Sequence, residues 1–277
     1  MCMPELPEVE TIARGLAKRV TGDVIESVWL SNKKEPFKSA PRQIAKALAE
    51  TKILDVRRVG KHIVIDLEPV NGTSGKPSAA RQWIVHLGMT GRMLIETPDS
   101  EIPKHTHAIA KLSSGRELRF VDPRRFGRLA VSETSFTGPG AEPLDISPED
   151  FAKLFRKRKT PIKSALLNQK LLHGVGNIYA DESLFRAGIR PKRQAALLTR
   201  IELERLHKAV KEVLREAIKL GGSSVSDYVD SEGREGFFQL QHRVYLRTGE
   251  PCLTCKTAIK RTVVAGRGTH YCPKCQK

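Results

Sequence analysis

Acidic residues are in short supply in this chain, aromatics make up only 5% of it, and cysteine is nearly confined to one end. Lys and Arg number 48 against 31 Asp and Glu, a formal charge of +17. A surface so short of negative charge attracts polyanions, and nucleic acid is the first candidate partner. No apolar run approaches the ~20 residues that a membrane-spanning helix needs. No signal peptide opens the chain, so a cytoplasmic protein is expected. Five cysteines, four of them within the last 26 residues, do not suit a disulfide framework; they suit metal binding in a reducing compartment. Cys2 is the odd one and carries no assigned role. At 277 residues the chain can bury two modest cores.

The positive charge is unevenly spread. Residues 151–200 hold 12 Lys and Arg against only Asp181 and Glu182, and residues 251–277 hold six basic residues and no acidic one. The binding footprint is therefore expected largely in the C-terminal half.

Periodicity divides the chain in two. Val9, Ile12, Ala13, Leu16 and Val20 share one face of a helix over 7–20. Short β-type runs follow at 24–30, 53–59, 62–67, 82–87, 91–95, 106–112, 117–121 and 127–131, a spacing that predicts a sandwich or barrel. Residues 69–80 read as a surface loop. The second half turns helical: Thr199 and Glu202 form a capping box ahead of an apolar stripe through Leu203, Leu206, Val210, Val213, Leu214 and Ala217, and Gly221-Gly222 ends it. The expected class is α+β, with an N-terminal β-sandwich domain over 1–132 flanked by its first helix. A linker over 133–148, a helical domain over 149–238 and a four-cysteine finger over 239–277 follow.

Several motifs carry chemistry. Cys252-x2-Cys255-x16-Cys272-x2-Cys275 supplies four thiolates able to close tetrahedrally on one structural Zn²⁺, with no open position for water. The loop between the knuckles carries Lys260, Arg261, Arg267 and His270, which suit a phosphate. Gly174-x-Gly176-x-x-Ala180 imitates a dinucleotide fingerprint. However, a helical pattern rather than a strand precedes it, so a helix–turn–helix with phosphate-cradling backbone N–H groups and the Asn177 amide fits better. Residues 121–127 (VDPRRFG) set Arg124 beside Phe126 in a loop able to wedge a base stack and reach a base edge. Met89 tips a second loop. Taken alone, Met89 and Phe126 are equally ordinary core residues, and Lys61 an ordinary hairpin lysine. Pro4-Glu5 would place a secondary amine beside a carboxylate if Pro4 were the terminus, which suits Schiff-base catalysis.

In this order, PELPEVET, GKHIVIDL, HLGMTGRM, DPRRFG, HGVGNIYADESLF and the final finger closely resemble bacterial formamidopyrimidine-DNA glycosylases, from Pro4 to Gln276. The resemblance implies a monomeric base-excision repair enzyme of the bacterial cytoplasm, associated with the nucleoid. It would excise 8-oxoguanine and formamidopyrimidines from duplex DNA and nick the strand by β,δ-elimination. It implies a sandwich domain and a helix–two-turns–helix domain with a zinc finger. Pro4 is then the nucleophile and Glu5 the acid/base. Lys61 and Arg267 complete the catalytic set, Lys61 at the phosphate beside the lesion and Arg267 on backbone phosphate. Glu8 orients the catalytic end. Met89, Arg124 and Phe126 fill the gap left by the flipped nucleotide, and Asn177 grips phosphate. His107 and Lys163 lie near the DNA, and Tyr228 belongs to a loop over 222–236 that closes on the flipped base. The zinc is structural, and no metal is needed for chemistry.

Two rivals are weighed. A pyrimidine-directed enzyme resembling endonuclease VIII is disfavoured by Leu6 after Pro4-Glu5 and by the intact Met89, Arg124, Phe126 set. A non-catalytic zinc-finger DNA-binding protein would need no free Pro4. As written, Pro4 is an amide behind Met1-Cys2-Met3. The working chain is therefore expected to start from Met3, whose removal exposes Pro4. Intact mass of the protein from its native host should correspond to a Pro4 terminus; a retained Met1 or Cys2 would defeat that expectation.

Overall fold

The computed structural model describes residues 3–70, 81–224, 230–231 and 234–277. The chain forms two compact units, Met1–Thr137 with Gly221–Gly236, and Gly138–Leu220 with Phe237–Lys277.

The first unit opens with helix α1 (Leu6–Val20), started by Pro7 in its first turn and sealed by the Glu8 carboxylate, which accepts the Glu5 N–H at 2.8 Å. Leu6, Val9, Ile12, Leu16 and Val20 are all buried, as the helical spacing demands. Eight strands follow: β1 (Val24–Leu30), β2 (Thr51–Val59), β3 (His62–Pro69), β4 (Arg81–His86), β5 (Arg92–Glu96), β6 (Thr106–Leu112), β7 (Glu117–Val121) and β8 (Arg128–Ser132). They form one antiparallel sheet in the order β5-β7-β6-β1-β2-β3-β4-β8. Met93, Phe120 and Leu118 from one end of that order share a single core with Ile63, Trp83, Val85 and Leu129 from the other. The sheet therefore closes face to face on itself as a sandwich. Irregular register between Ile25 and Ser27, Ile53 and Asp55, and Thr106 and Ala108 marks where strands bend.

The periodicity reading finds every strand within two residues of its place. It passes over α2 (Pro41–Leu48), whose eight residues bury only Ile44 and Leu48. So short an apolar stripe barely differs from a loop in sequence. The division at 148 and 238 also differs from the fold. The described residues of 221–236 pack with the first unit: the Ser223 N–H donates to Glu8 at 2.8 Å, and Ser231 sits against Gly15 of α1. That pairing spans more than 200 residues, and local pattern carries no trace of it.

The second unit contains α3 (Pro148–Phe155), α4 (Ile162–Leu166), α5 (Asn177–Ala187), α6 (Arg200–Lys219) and the hairpin β9 (Lys260–Val264) and β10 (Arg267–Tyr271). The α6 capping box forms as its sequence requires, with Thr199 and Glu202 exchanging bonds. The helical run expected before the glycines is cut short. α4 ends at Leu166, because the Gln169 amide bonds the carbonyls of Leu167 and Val175 and accepts the Gly174 N–H, folding 167–176 into two turns. The result is a helix–two-turns–helix.

Burial favours the neutral ring of His62 in the first unit and of His242 in the second. Burial pushes His62 down to about 4 in the first unit, where it packs 4.9 Å from both His86 and Phe136. Burial likewise pushes His242 to about 4 in the second, between Phe238 and Tyr245. The unfolded chain takes up these protons below its ordinary histidine value and the fold does not. The stability they confer is present above about pH 6.5 and is lost as pH falls through about 4. Replacing His242 by Phe should flatten the acid limb of urea stability in that window, by on the order of 2–3 kcal/mol. Parallel curves for the two proteins would refute the assignment.

Candidate functional site

The first unit carries the catalytic candidates Pro4, Glu5 and Lys61. Pro4 is buried, and Glu5 is only 3% exposed. Glu8, 2% exposed, holds this end by both oxygens: one accepts the Glu5 N–H and the other the Ser223 N–H. Gly222 is required beside it, since its φ is +85° and an added Cβ would lie 2.9 Å from the Glu8 side chain. Lys61 occupies the two-residue turn between β2 and β3 and is 5% exposed. Arg58 ties this turn to α1. Its guanidinium meets Glu10 at 2.7 Å and donates to the Gly60 carbonyl at 3.3 Å.

The two loops expected to wedge DNA are built around one carboxylate that sequence reasoning passed over. Asp122 is fully buried. One of its oxygens accepts the Thr90 hydroxyl at 2.6 Å and the Arg124 N–H at 3.3 Å; the other accepts the Gly127 N–H at 2.7 Å. Thr90 and Gly127 flank Met89 and Phe126 respectively, so a single anion sets both tips. Gly88, at φ +65°, lets the first loop press on the second: a Cβ there would fall 2.5 Å from the backbone of Phe126 and Gly127. Outside this buried anchor, Phe126 is 46% exposed with the Arg124 guanidinium 4.8 Å over its ring, and Met89 is partly exposed. An exposed aromatic carried on an anchored loop is uncommon as core and fits a wedge.

His107 does not present itself for binding. It is 4% exposed; the Ser31 hydroxyl donates to Nδ1 at 3.2 Å and Nε2–H donates to the Asp122 carbonyl at 3.0 Å. The exposed histidine is His105, which lines a cleft of about 680 Å³ with Trp29, Lys33, Lys104 and Arg125. Alternation along the strand start cannot choose between two histidines two residues apart; only the bend near Thr106 does.

In the second unit the four cysteine sulfurs lie within 4.8 Å of one another, with Cys252–Cys275 at 3.9 Å and Cys255–Cys272 at 3.4 Å. A tetrahedral zinc with Zn–S bonds of ~2.3 Å requires S···S separations of about 3.8 Å, so the set fits zinc. Hydrogen bonds from Thr257 hold the Cys255 thiol down at about 6, while burial pushes Cys272 and Cys275 up. A bound dication ionises all four. This is a structural zinc centre.

Arg267 is exposed at the start of β10, and Asn177 opens α5, its amide donating to the Gly268 carbonyl at 3.1 Å. Lys163 is fully buried and forms a 2.7 Å ion pair with Asp181, so it is a strut rather than a surface cation. Glu182 was also passed over. Burial pushes its carboxyl up, against the N–H groups of Arg243, Val244 and Tyr245 that it accepts. Tyr228 lies outside the described residues. Among those described, no helix is long and apolar enough to cross a membrane.

Three family descriptions match the chain in succession: the formamidopyrimidine-DNA glycosylase N-terminal domain over residues 3–129, the H2TH domain of the same enzymes over 138–229, and the zinc finger found in FPG and IleRS over 249–277. A formamidopyrimidine-DNA glycosylase from Solibacter usitatus is 50% identical, across 99% of this chain and all of that one. The crystal structure of MutM (FPG) from Thermus thermophilus superposes with a TM-score of 0.85 at 40% identity, covering 99% of this chain and 98% of that one. A Lactococcus lactis FPG mutant bound to a Fapy-dG containing DNA gives 0.87 at 34% identity, covering 99% and 100%.

Asp122→Ala should leave the Thr90 hydroxyl and the Gly127 N–H without their buried acceptor, at a cost of about 2–4 kcal/mol. It should also weaken binding to duplex with an abasic analogue more than Phe126→Ala does, since both loops depend on it. Denaturant unfolding and fluorescence titration measure the two effects, and a variant with wild-type binding would refute the organising role.

Proposed function

Because this chain belongs to the formamidopyrimidine-DNA glycosylase family, we propose that it excises oxidised purines, 8-oxoguanine and formamidopyrimidines, from duplex DNA and cleaves the resulting abasic site by β,δ-elimination through Pro4. As a DNA glycosylase it must reach C1′ of a nucleotide that the duplex hides, which requires flipping at a cost of a few kcal/mol. The observation that carries the reading is the Asp122-anchored pair of loops, whose exposed Phe126 and Arg124 are suited to replace the lost stacking and to bond the base left behind. The +17 charge supplies the salt-dependent attraction to phosphate.

The chemistry follows from the terminus. With the chain starting at Pro4, its secondary amine attacks C1′ and the glycosidic bond breaks, the base leaving with a proton. Glu5, buried beside it, relays protons between the amine and the sugar. The C1′–O4′ bond then opens, O4′ taking its electron pair and a proton through Glu5, and the sugar is held as an iminium, which acidifies C2′. Loss of that proton expels the 3′ phosphate, and a second elimination expels the 5′ phosphate. Lys61 and Arg267 are placed by this reading at the flanking phosphates, and Glu8 keeps the Glu5 backbone fixed. The zinc centre has no part in these steps; it supports the hairpin that carries Arg267. Working as a monomer in the bacterial cytoplasm, close to the nucleoid, belongs to the same proposal.

The solved relatives support the substrate class. Lactococcus lactis Fpg has been crystallised with Fapy-dG and abasic-site DNA, and also with an oxidised pyrimidine containing DNA. The last favours, as a second reading, action on oxidised pyrimidines too.

Borohydride reduction during reaction with an 8-oxoguanine:cytosine duplex should yield a covalent adduct that maps to Pro4. Glu5→Gln should slow base release by about 10²–10⁴-fold. Tight lesion binding with no adduct, from a chain that starts at Pro4, would instead mark a DNA-binding protein without catalysis.

A further inference from the structure

A buried ion pair is an expensive way to join two elements, since an apolar pair of equal volume is often as stable or more so. Lys163 of α4 and Asp181 of α5 form such a pair, 2.7 Å apart, with both side chains fully buried. Its geometry reaches beyond the two helices. The Lys163 Nζ also donates to the Thr269 hydroxyl at 2.8 Å and to the Gly268 carbonyl at 3.1 Å. The Thr269 hydroxyl in turn donates to the carbonyl of Arg267 at 3.0 Å. The second Asp181 oxygen accepts the His270 N–H at 2.8 Å and faces its ring Nδ1 at 3.3 Å. The Gly268 carbonyl takes a further bond from the Asn177 amide. Residues 268 to 270 are thus each held, through backbone or side chain, by a group of α4 or α5, and the Thr269 hydroxyl extends that hold to the Arg267 carbonyl. Arg267 alone among the four points a free side chain outward from an exposed position.

We propose that the Lys163–Asp181 pair is a positioning device for Arg267: it anchors the start of β10 to the helix–two-turns–helix so that the guanidinium meets DNA phosphate without an ordering cost. This rests on the reading of Arg267 as a phosphate-binding and elimination residue. The physical reason for ions in place of apolar groups is direction. An ammonium has three donors at fixed angles and can hold a carboxylate, a hydroxyl and a carbonyl at once, whereas apolar contact leaves the strand free to slide. Pre-ordering matters because an exposed arginine otherwise loses rotamer and backbone freedom on binding. The buried state of Lys163 is also incompatible with its touching DNA itself.

The test is a double-mutant cycle on full-length, zinc-loaded protein that starts at Pro4. Lys163→Met/Asp181→Asn removes both charges at nearly constant volume, and Thr269→Val removes the hydroxyl that joins Lys163 to the Arg267 carbonyl while leaving the Lys163–Asp181 pair. Arg267→Ala is introduced into each background and into the wild type. The readouts are Kd for a duplex with a tetrahydrofuran abasic analogue, its salt dependence, and the ratio of δ to β product on a preformed abasic site. In the wild type, Arg267→Ala should raise Kd at least tenfold, reduce the salt slope by about one and shift product toward β-elimination. In the charge-free background it should change Kd less than threefold, because the alignment is already lost, with Thr269→Val in between. Equal Arg267→Ala effects in all backgrounds would overturn the positioning role while leaving the reading of Arg267 intact. An Arg267→Ala effect near unity in the wild type would remove that reading, and the proposal with it. Borohydride trapping at Pro4 should be unchanged in the charge-free variant; a parallel loss of trapping would show general damage and overturn the proposal. Should the double variant fail to fold, Thr269→Val decides by the same criteria.

Discussion

Buried carboxylates that capture backbone N–H groups are the interaction on which both units depend. Glu8 holds the amides of Glu5 and Ser223, Asp122 those of Arg124 and Gly127, Asp181 that of His270, and Glu182 those of Arg243, Val244 and Tyr245. A charge without water is tolerated only when donors replace its hydration. Main-chain donors do this most rigidly, since they cannot rotate away as a side chain can. Each carboxylate therefore fixes the path of the chain it holds, and the segments held by Glu8, Asp122 and Asp181 carry groups that the proposed chemistry uses.

That arrangement separates two demands that conflict in a DNA-processing enzyme. Reading groups such as Arg124, Phe126 and Arg267 must be exposed to reach a nucleic acid, yet exposed side chains are costly to order. Here the order is stored in buried anions behind the loops, while the side chains themselves stay at the surface. The same logic explains why Lys163 and His107 are inside. Their polar atoms are committed to positioning, Lys163 on Asp181 and β10 and His107 on Ser31 and Asp122.

Much of this was legible in the order of residues. Period-two runs located the strands of the sandwich, the Thr199–Glu202 box started α6 where it begins, and the doubled Cys-x2-Cys spacing placed a metal centre whose sulfurs do converge. What stayed hidden was long-range. Asp122 looks like any turn aspartate until Thr90, 32 positions away, is seen to bond it. The pairing of Ser223 and Ser231 with α1 joins chain segments with no shared pattern. His107, expected near the DNA, faces inward because a bulge, not the alternation, decides between it and His105.

The sequence by itself determined the family, the α+β class, the zinc ligands and the pool of residues able to do the chemistry, because these depend on residue type and local spacing. Only the tertiary structure decided which cations face solvent and which are struts, and which acids hold loops instead of moving protons. Burial and hydrogen-bond partners set those roles, and both come from parts of the chain that meet only after folding.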